Sequence, residues 1–414
     1  MSTPRRFLPP VLFCAVNGVL MVVLALFWLG LPRTFGDEAI FIKWTSLVKK
    51  TVLGIDPKPP AESFLYVDVS RSKALVEVRD PLFEEYTGLN HTTITDREQL
   101  ARFLDAVATY GRDVPLVILD INFAVTSPAD SALQTALDTF PYPLVGASDL
   151  RLALNDSLRP LRLTTGVAMY LSVDENFMKY PLYFADTLPT LPLAALHAAR
   201  GTTYGPAAWG SRLGAHRSLT NPIVDFKVRP HDLEVTKQYS VFPLGSLLLQ
   251  LSFWDEADIT KLFRGKTIVV GDFVNDFHQT VFGSMPGPMI VHNAYLTLWE
   301  GETIIHFRWL LLLFAIFAYM SWRVWREVTS GHRSWLWHRS RTALGKLFAD
   351  SIDDTFYLVV ATVLSYLLFN IHVNILVLLI YLKAVTWLLR RLLPVPPAAV
   401  SEEVPADAET LPPS

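Results

Sequence analysis

Three predicted strands each end in an aspartate, and these acids are the residues whose type and position best suit ligand binding. They are Asp68, Asp120 and Asp272, and each closes a continuous apolar stretch. In open α/β sheets, ligands bind outside the carboxyl ends of the strands. We therefore predict that the three carboxylates contribute to one ligand-binding site. The alternative is structural, because an aspartate at a strand end also satisfies loop amides or caps the following helix.

A second set of polar residues follows the last of these strands. Oxygen and nitrogen ligands for a divalent metal could come from Asp272, Asp276, His278 and His292. Their spacing matches no strong metal signature such as HExxH or a paired CxxC. We therefore interpret them as part of a solvated loop, and we expect neither a metal nor an organic cofactor.

Familiar catalytic motifs are missing from the sequence. It contains no GxxxxGK[ST] phosphate loop, and Asp68 is followed by Val-Ser-Arg instead of a second acid two residues on. Ser172, Ser211 and Ser246 lack the GxSxG context of a serine hydrolase. We therefore expect a protein that is not an enzyme. The alternative that stays open is an envelope metal-dependent hydrolase that uses the three strand-end acids.

The elements that would position these acids alternate between strands and helices. Continuous apolar strands are typical of a parallel sheet that is covered on both faces. They are predicted at 64–68, 114–120, 143–147, 165–171 and 267–272, with helices at 95–111, 130–140, 191–200 and from Pro286-Gly-Pro288 to Gly301. This pattern predicts an α/β fold with a mainly parallel sheet flanked by helices.

Local signals mark some helix ends and one weakly patterned region. Thr95 and Glu98 have the spacing of a capping box, and Gly111 can close the same helix. Near the start, 37–50 is predicted to be a short amphipathic helix with an apolar face formed by Ile40, Trp44 and Leu47. Residues 201–240 are predicted to be rich in loops, without a clear order of elements.

The composition indicates that part of the chain lies in a membrane. Hydrophobic residues make up 51% of the 414 residues and charged residues only 18%, which favours lipid-embedded segments. Apolar runs occur at 8–31, 304–322, 356–371 and 373–389, and each approaches the roughly 20 residues that cross a bilayer. Basic residues lie before the first run, between the second and third, and after the fourth. This bias puts those three segments on the cytoplasmic side.

The resulting arrangement is an α/β domain inserted between one N-terminal and three C-terminal transmembrane helices, in a multi-pass protein of the cell inner membrane. In chain order we predict a cytoplasmic N-terminus at 1–7, a signal anchor at 8–31, a periplasmic or extracellular domain at 32–303, a transmembrane helix at 304–322, a basic cytoplasmic loop at 323–354, transmembrane helices at 355–371 and 373–391, and a disordered cytoplasmic tail at 392–414. A cleaved signal peptide is the alternative for the first run. For the last two runs the alternative is a single buried pair or a reentrant loop.

Three further features bear on partners. Cys14 is the only cysteine and lies in the first apolar run, so the large domain has no disulfides. A net charge of −3 gives no reason to expect nucleic acid. Lys383 lies midway along the fourth apolar run, where an ionised side chain is costly unless it snorkels or meets a partner. Because the other three runs contain no acid, we expect snorkelling or shifted helix boundaries, or else a contact with a subunit, a lipid headgroup or a partner protein. A structural subunit of a membrane complex is one alternative function.

Six stretches of the large domain carry a family resemblance. They are Phe64-Leu-Tyr-Val-Asp68, Leu100-Ala-Arg-Phe-Leu104, Leu116-Val-Ile-Leu-Asp-Ile-Asn-Phe123, Asp130-Ser-Ala-Leu-Gln-Thr-Ala-Leu137, Phe263-Arg-Gly-Lys-Thr-Ile-Val-Val-Gly271 and Met285-Pro-Gly-Pro-Met-Ile-Val-His-Asn-Ala294. Together they resemble the second type of CHASE domain, an extracellular sensor associated with cyclases and histidine kinases. The last two are the most specific, since they are similar to the family's GKIVLIG strand and PGVEIHA helix start.

The resemblance covers about residues 37–305 and implies a sensor for signal transduction. Family members typically carry one span before the sensor, three spans after it and then a catalytic effector. Only a short tail follows Arg391, so we expect a separate cytoplasmic effector. The other expected partners are a small ligand or an envelope component, membrane lipids, and a second copy of the chain as a candidate homodimer. Val69-Ser70 stands where the family has an acidic pair, so the ligand pocket itself does not follow from the resemblance.

Overall fold

The computed structural model describes residues 9–31, 37–78, 90–155, 160–169, 176–185, 187–207, 210–330 and 342–393. The chain divides into two units. The α/β unit contains Phe27–Trp309 and Val363–Val373, and the helical unit contains Met1–Leu26, Leu310–Thr362 and Asn374–Ser414. The predicted N-terminus at 1–7 and the predicted tail beyond residue 393 lie outside the described residues.

The strands all lie in the α/β unit. They are β1 (Phe64–Asp68), β2 (Lys73–Val78), β3 (Asn90–Thr95), β4 (Leu116–Asp120), β5 (Leu144–Ser148), β6 (Thr165–Val167), β7 (Asn176–Phe177), β8 (Tyr183–Phe184), β9 (Leu188–Pro189), β10 (Tyr204–Pro206), β11 (Ser211–Leu213), β12 (His216–Ser218), β13 (Val241–Pro243), β14 (Thr267–Gly271), β15 (Phe277–Thr280) and β16 (Gly283–Pro286). The end of the predicted strand 165–171 lies outside the described residues.

The helices occur in both units. They are α1 (Pro10–Leu29), α2 (Asp37–Leu47), α3 (Arg97–Tyr110), α4 (Asp130–Asp138), α5 (Leu150–Leu154), α6 (Leu191–Arg200), α7 (Pro230–Glu234), α8 (Leu244–Leu251), α9 (Glu256–Phe263), α10 (Gly287–Trp299), α11 (Phe307–Ser330), α12 (Ala343–Phe369) and α13 (Ile375–Leu392). A π-helical turn, Val48–Val52, follows α2, and a 3₁₀ turn, Ala61–Ser63, precedes β1.

A six-stranded sheet forms the centre of the α/β unit. Its order is β13-β1-β14-β4-β5-β6, and every neighbouring pair is parallel. Both faces of the sheet are buried. Successive side chains of a strand point to opposite sides, so each strand contributes to the packing on both faces. In β1, Leu65 and Val67 pack into one apolar cluster with Leu100 and Phe263, whereas Tyr66 packs into another with Met289. The predicted α/β fold with a mainly parallel sheet is confirmed.

The predicted capping box at the start of α3 is wrong. The residue that caps this helix is Asp96, whose carboxylate accepts hydrogen bonds from the backbone N–H groups of Glu98 and Gln99. Thr95 instead belongs to β3, where it pairs with Lys73. Thr95 is therefore used in strand pairing. The helix is capped by the next residue, Asp96, because aspartate is also a strongly preferred N-cap.

Two other regions differ from the sequence predictions. The segment 201–240, predicted to be loop-rich, contains the antiparallel sheet β10-β11-β12 and the helix α7. In α2, Ile40 and Trp44 share an exposed face, whereas Ile42, Thr45 and Ser46 are buried. The apolar face predicted from the helical pattern is therefore not the face that α2 buries within the α/β unit.

Three helices among the described residues are long and apolar enough to cross a membrane: Pro10–Leu29, Phe307–Ser330 and the Ile352–Phe369 part of α12. The fourth, α13, has 18 residues and carries Lys383, Arg390 and Arg391, so its crossing stays a prediction. Because α11 extends to Ser330 and α12 begins at Ala343, helix replaces part of the predicted basic loop. Residues 331–341 of that loop lie outside the described residues.

Polar contacts connect the helices of the helical unit. Asn17 donates its side-chain amide to the Ser321 hydroxyl at 2.8 Å and accepts from the Tyr381 hydroxyl at 2.7 Å. Lys383 Nζ lies 2.7 Å from Asp354 Oδ2. This ion pair overturns the expectation that Lys383 has no acidic partner within the chain. The reason is that α12 begins before the third apolar run, which brings Asp354 onto the same helix.

Candidate functional site

The structure brings the three predicted strand-end acids to one edge of the sheet. The strands β1, β14 and β4 are adjacent, with Asp68 in register with Gly271 and Gly271 in register with Asp120. Asp272 follows Gly271 directly. The convergence expected from parallel strands is therefore present. The surroundings of the three carboxylates nevertheless differ, so each acid is described in turn.

Asp68 is buried, at 6% exposure, and its carboxylate is fully engaged. It accepts hydrogen bonds from the backbone N–H of Ser70 at 2.9 Å, the Ser70 hydroxyl at 2.6 Å and the backbone N–H of Phe273 at 3.0 Å. The last bond joins the turn after β1 to the turn after β14. Asp68 thus shapes this edge of the sheet, as the structural alternative expects.

Asp272 organises its own turn. Its carboxylate accepts from the backbone N–H groups of Val274 and Asn275, at 3.1 and 2.8 Å, and from the Asn275 side-chain amide. It also lies 3.1 Å from Lys73 Nζ. Burial raises the pKa of Asp272, but these hydrogen bonds outweigh it and hold the pKa below its usual range. The residue is an ionised turn former at neutral pH.

Asp120 is the acid whose proton affinity is most altered. None of the described residues donates a hydrogen bond to its carboxylate. Burial raises the pKa of Asp120 to about 7, and the neighbouring Asp276 carboxylate adds to the rise. Both carboxylates border Gly287, where an added Cβ would overlap Asp276 and lie 3.5 Å from Asp120 Oδ2. A side chain at the start of α10 would therefore displace Asp276, whereas it would only touch Asp120.

The residues considered for a metal site are not brought together. His278 Nε2 lies 2.8 Å from Asp276 Oδ1, close to Asp120, but Asp272 faces its own turn. His292 is fully buried, its Nδ1 lies 2.9 Å from the Tyr66 hydroxyl, and burial lowers its pKa to about 3. In the ranges that the structure describes, no three His, Cys, Asp or Glu side chains could together hold a metal ion.

A cavity of about 510 Å³ opens at the same edge of the sheet, and we call it the Asp68 cleft. Besides Asp68 it is lined by residues that follow β1 and β14, by the segment from α7 to β13 and by the start of α10: Arg71, Pro230, Leu233, Glu234, Lys237, Tyr239, Ser240, Val241, Pro243, Phe273, Val274, Pro286 and Met289. Neither Asp120 nor Asp272 is among them. Of the three predicted ligand-binding acids, the structure thus places only Asp68 in the cleft.

The ligand-binding residues predicted from the sequence did not include two cations that line the Asp68 cleft. Arg71 and Lys237 are exposed, and the described residues give neither of them an ion-pair partner. Arg71 lies in the turn after β1, whereas Lys237 reaches the site only because β13 pairs with β1. Arg71 could have been noticed three residues after a strand-end acid. No local signal identifies Lys237, because its position depends on a pairing between strands that are distant in the chain.

No protein-family model, no curated protein and no solved structure matches this chain.

Proposed function

We propose that this chain is an integral membrane sensor, with an α/β unit that is a CHASE domain of the second type. In this proposal the α/β unit lies outside the cytoplasm, binds a small ligand or an envelope component, and passes the signal through the membrane helices to a separate cytoplasmic effector. The observation that carries the proposal is the Asp68 cleft. Its location, at the carboxyl edge of a parallel sheet, is the usual ligand position in open α/β folds.

The lining of the cleft favours a small ligand with an anionic group. Asp68 already accepts three hydrogen bonds, and the exposed charges of the lining are the two cations Arg71 and Lys237 against one carboxylate, Glu234. Apolar contacts would come from Phe273 and Met289 on the wall. A carboxylate or phosphate on the ligand would form charge-assisted hydrogen bonds with the two cations, which are among the stronger polar contacts in proteins.

A relay toward the membrane is supported by the segment Val363–Val373, which belongs to the α/β unit. The Tyr366 hydroxyl lies 2.6 Å from Ser46 Oγ, and Trp309 Nε1 donates to Ser365 Oγ at 2.7 Å. These contacts join α2, the start of α11 and the end of α12 within one unit. A ligand that binds one arrangement of this junction more tightly than another would raise the population of that arrangement, and the membrane helices would move with it.

The ligand proposal is tested with the full-length protein in lipid nanodiscs. Amino acids, dicarboxylates and phosphorylated sugars are screened by thermal shift, and binding is then measured by titration calorimetry. We expect at least one anionic compound to bind, and Arg71→Gln and Lys237→Gln each to weaken that binding about tenfold, the effect of losing one charge-assisted hydrogen bond. Asp68→Asn is unsuitable here, because it would disturb the turns that shape the cleft.

The matched control is Arg151→Gln, which removes an 86%-exposed guanidinium on α5, outside the cleft lining. Equal weakening by this control, or no binding by any screened compound, would refute the cleft as the sensory site.

The relay is tested separately by crosslinking the full chain in cells and identifying the proteins captured. Failure to capture any cytoplasmic signalling protein would count against the effector.

A hydrolase is the second candidate function, and one observation favours it. Asp120, with its pKa raised to about 7, borders the Asp276–His278 pair, so an acid and a base lie close together at the sheet edge. Assays of the purified full-length chain on phosphate esters, with Mg²⁺, Mn²⁺ or Zn²⁺ added, distinguish this candidate. Turnover that Asp120→Asn abolishes would support it, and no turnover with any of these metals would reject it.

A further inference from the structure

A second cavity in the α/β unit lies at the ends of two candidate membrane spans. Its volume is about 810 Å³. Phe307 is the first residue of one candidate span and Phe369 is the last residue of another, and both side chains line the cavity. The cavity therefore lies at the level of a membrane boundary if these helices cross. We call it the boundary cavity.

The boundary cavity contains a buried lysine that contacts no carboxylate of the described residues. The π-helical turn after α2 buries two consecutive lysines, Lys49 and Lys50, and Lys49 lines the cavity at 7% exposure. The Lys49 ammonium lies 5.2 Å from the centre of the Tyr366 ring, a cation–π contact. Within the described chain, no carboxylate or hydrogen-bond acceptor lies at contact distance, and the Asp225 and Glu302 carboxylates interact with it electrostatically over a longer distance. A buried ammonium is costly without a contacting acceptor, so a ligand anion would be favoured here.

The carboxylates at the cavity are already paired with other lysines. Lys227 Nζ lies 2.6 Å from Glu300 Oε2 and 2.9 Å from Glu302 Oε1. Lys50 Nζ lies 2.6 Å from Asp225 Oδ1. Two lysines thus offset most, but not all, of the negative charge on these three carboxylates, and the remaining charge of the lining is set by the cations that face the cavity, of which Lys49 is the first.

The second such cation is Arg308, an exposed residue in the first turn of α11 that lines the same cavity. The part of the chain that the structure describes provides it with no ion-pair partner. Asn370 lines the cavity as well, is 6% exposed and donates its Nδ2 to Glu302 Oε2 at 3.3 Å, while its Oδ1 lacks a hydrogen-bond donor within the described ranges. The cavity thus offers two cations and one buried acceptor.

Apolar side chains complete the lining on the side of the candidate spans. Leu367 and Leu368, near the end of α12, line it together with Phe307. A soluble anion would leave this apolar wall in water, whereas a phospholipid presents a phosphate and an acyl chain together. We propose that the boundary cavity binds a phospholipid, with Lys49 and Arg308 holding its phosphate and Asn370 Oδ1 accepting from a headgroup amine or hydroxyl. This proposal is independent of the Asp68 cleft and of a sensory role.

The test uses the full-length protein, delipidated in detergent micelles. Three probes are added separately: dioleoyl phosphatidylethanolamine, dioleoylglycerol with the same chains and no phosphate, and inorganic phosphate. Bound lipid is measured by native mass spectrometry over a concentration series. We expect saturable binding of one phosphatidylethanolamine and much weaker binding of dioleoylglycerol. Lys49→Gln and Arg308→Gln should each weaken phospholipid binding about tenfold, because each removes one charged contact with the phosphate.

The matched control is Lys43→Gln, which removes an exposed lysine from α2 one and a half turns before Lys49. It should change binding less than twofold, and an effect equal to that of Lys49→Gln would indicate general attraction to the membrane and overturn the site. Equal binding of dioleoylglycerol would overturn the role of the phosphate. If inorganic phosphate binds in a Lys49-dependent way and the phospholipid does not bind, the ligand is a free phosphate and the phospholipid proposal is overturned. If Lys49→Gln does not fold, the exposed Arg308→Gln decides the outcome.

Discussion

At the scale of single residues, Asp120 is a carboxyl group whose pKa burial moves close to neutral pH. Its carboxyl group is raised to a pKa of about 7 by burial and by Asp276, whereas an unfolded aspartate has a pKa near 3.8. Between these two values the folded protein binds more protons than the unfolded chain. Stability therefore falls as the pH rises through this window, and it stops falling above the folded-state pKa.

Replacement of this acid by its amide should remove that pH dependence. Asp120→Asn keeps the size of the side chain but cannot ionise, so the variant should be more stable than the wild type above pH 7, by at most about 4 kcal/mol. The measurement is the apparent melting temperature of the full-length protein in detergent between pH 4.5 and 8.

The control for this prediction is Asp105→Asn, on the exposed face of α3. Its melting temperature should follow the wild-type pH profile. A wild-type profile that rises between pH 5 and 7, or an Asp120→Asn profile with the wild-type slope, would contradict the assignment of the proton to Asp120.

At the scale of elements, the start of α3 shows how strand pairing and helix capping compete for neighbouring residues. Asp96 caps the helix, and Thr95 pairs in β3. We predict that Asp96→Ala lowers the free energy of unfolding by about 1 kcal/mol, the usual effect of losing an N-cap. Thr95→Ala should cost less than half of that. Urea denaturation of the full chain in detergent measures both, and a larger effect at Thr95 would favour the capping box.

A second interaction between elements concerns the ion pair of α12 and α13. Asp354 is largely buried, whereas the Lys383 side chain is 35% exposed. The pair gives Lys383 a partner within the chain, so its position in an apolar run does not require a second protein. The hypothesis of a structural subunit therefore loses the observation that motivated it.

We predict that Lys383→Leu destabilises the full-length protein by about 1–3 kcal/mol, because it leaves the Asp354 carboxylate buried without its partner. The double variant Lys383→Leu/Asp354→Leu should be more stable than Lys383→Leu alone, since it removes both charges. Lys383→Arg, which keeps the charge, is the control. Melting temperatures in detergent measure all three, and additive losses in the double variant would show that the two charges do not interact.

At the scale of the whole molecule, the number of membrane crossings decides where the tail lies. Three helices among the described residues have the length and apolar composition of a span, and α13 would be the fourth. With four crossings the N-terminus and the tail share the cytoplasmic side, whereas three crossings place the tail opposite. The basic residues Arg390 and Arg391 at the end of α13 favour four.

Topology is measurable with single cysteines in a Cys14→Ala background. In intact cells, a membrane-impermeant maleimide should label Ser252→Cys in the α/β unit but not Ser414→Cys. The Ser414→Cys variant should become labelled only after the membrane is permeabilised. Labelling of Ser414→Cys in intact cells would indicate three crossings and would require a different route for the signal.

The local pattern of the chain determined the fold class, the central strands, most helices and the edge of the sheet at which the acids meet. These features follow from short-range periodicity, since continuous apolar stretches form buried strands and amphipathic stretches form helices. The apolar runs predicted four spans, and three helices among the described residues have the length and apolar composition of one. The local pattern also predicted Asp68, Asp120 and Asp272 at one edge, because parallel strands that alternate with helices carry their carboxyl ends to the same side.

Only the tertiary structure decided which side chains meet. The pairing of β13 with β1 brings Lys237 into the cleft that Asp68 lines, and burial next to Asp276 raises the pKa of Asp120. The early start of α12 places Asp354 within contact of Lys383. Each of these results joins residues that are far apart in the chain. Short-range periodicity carries no information about such pairs, because it records which face of an element is apolar and not which element covers that face.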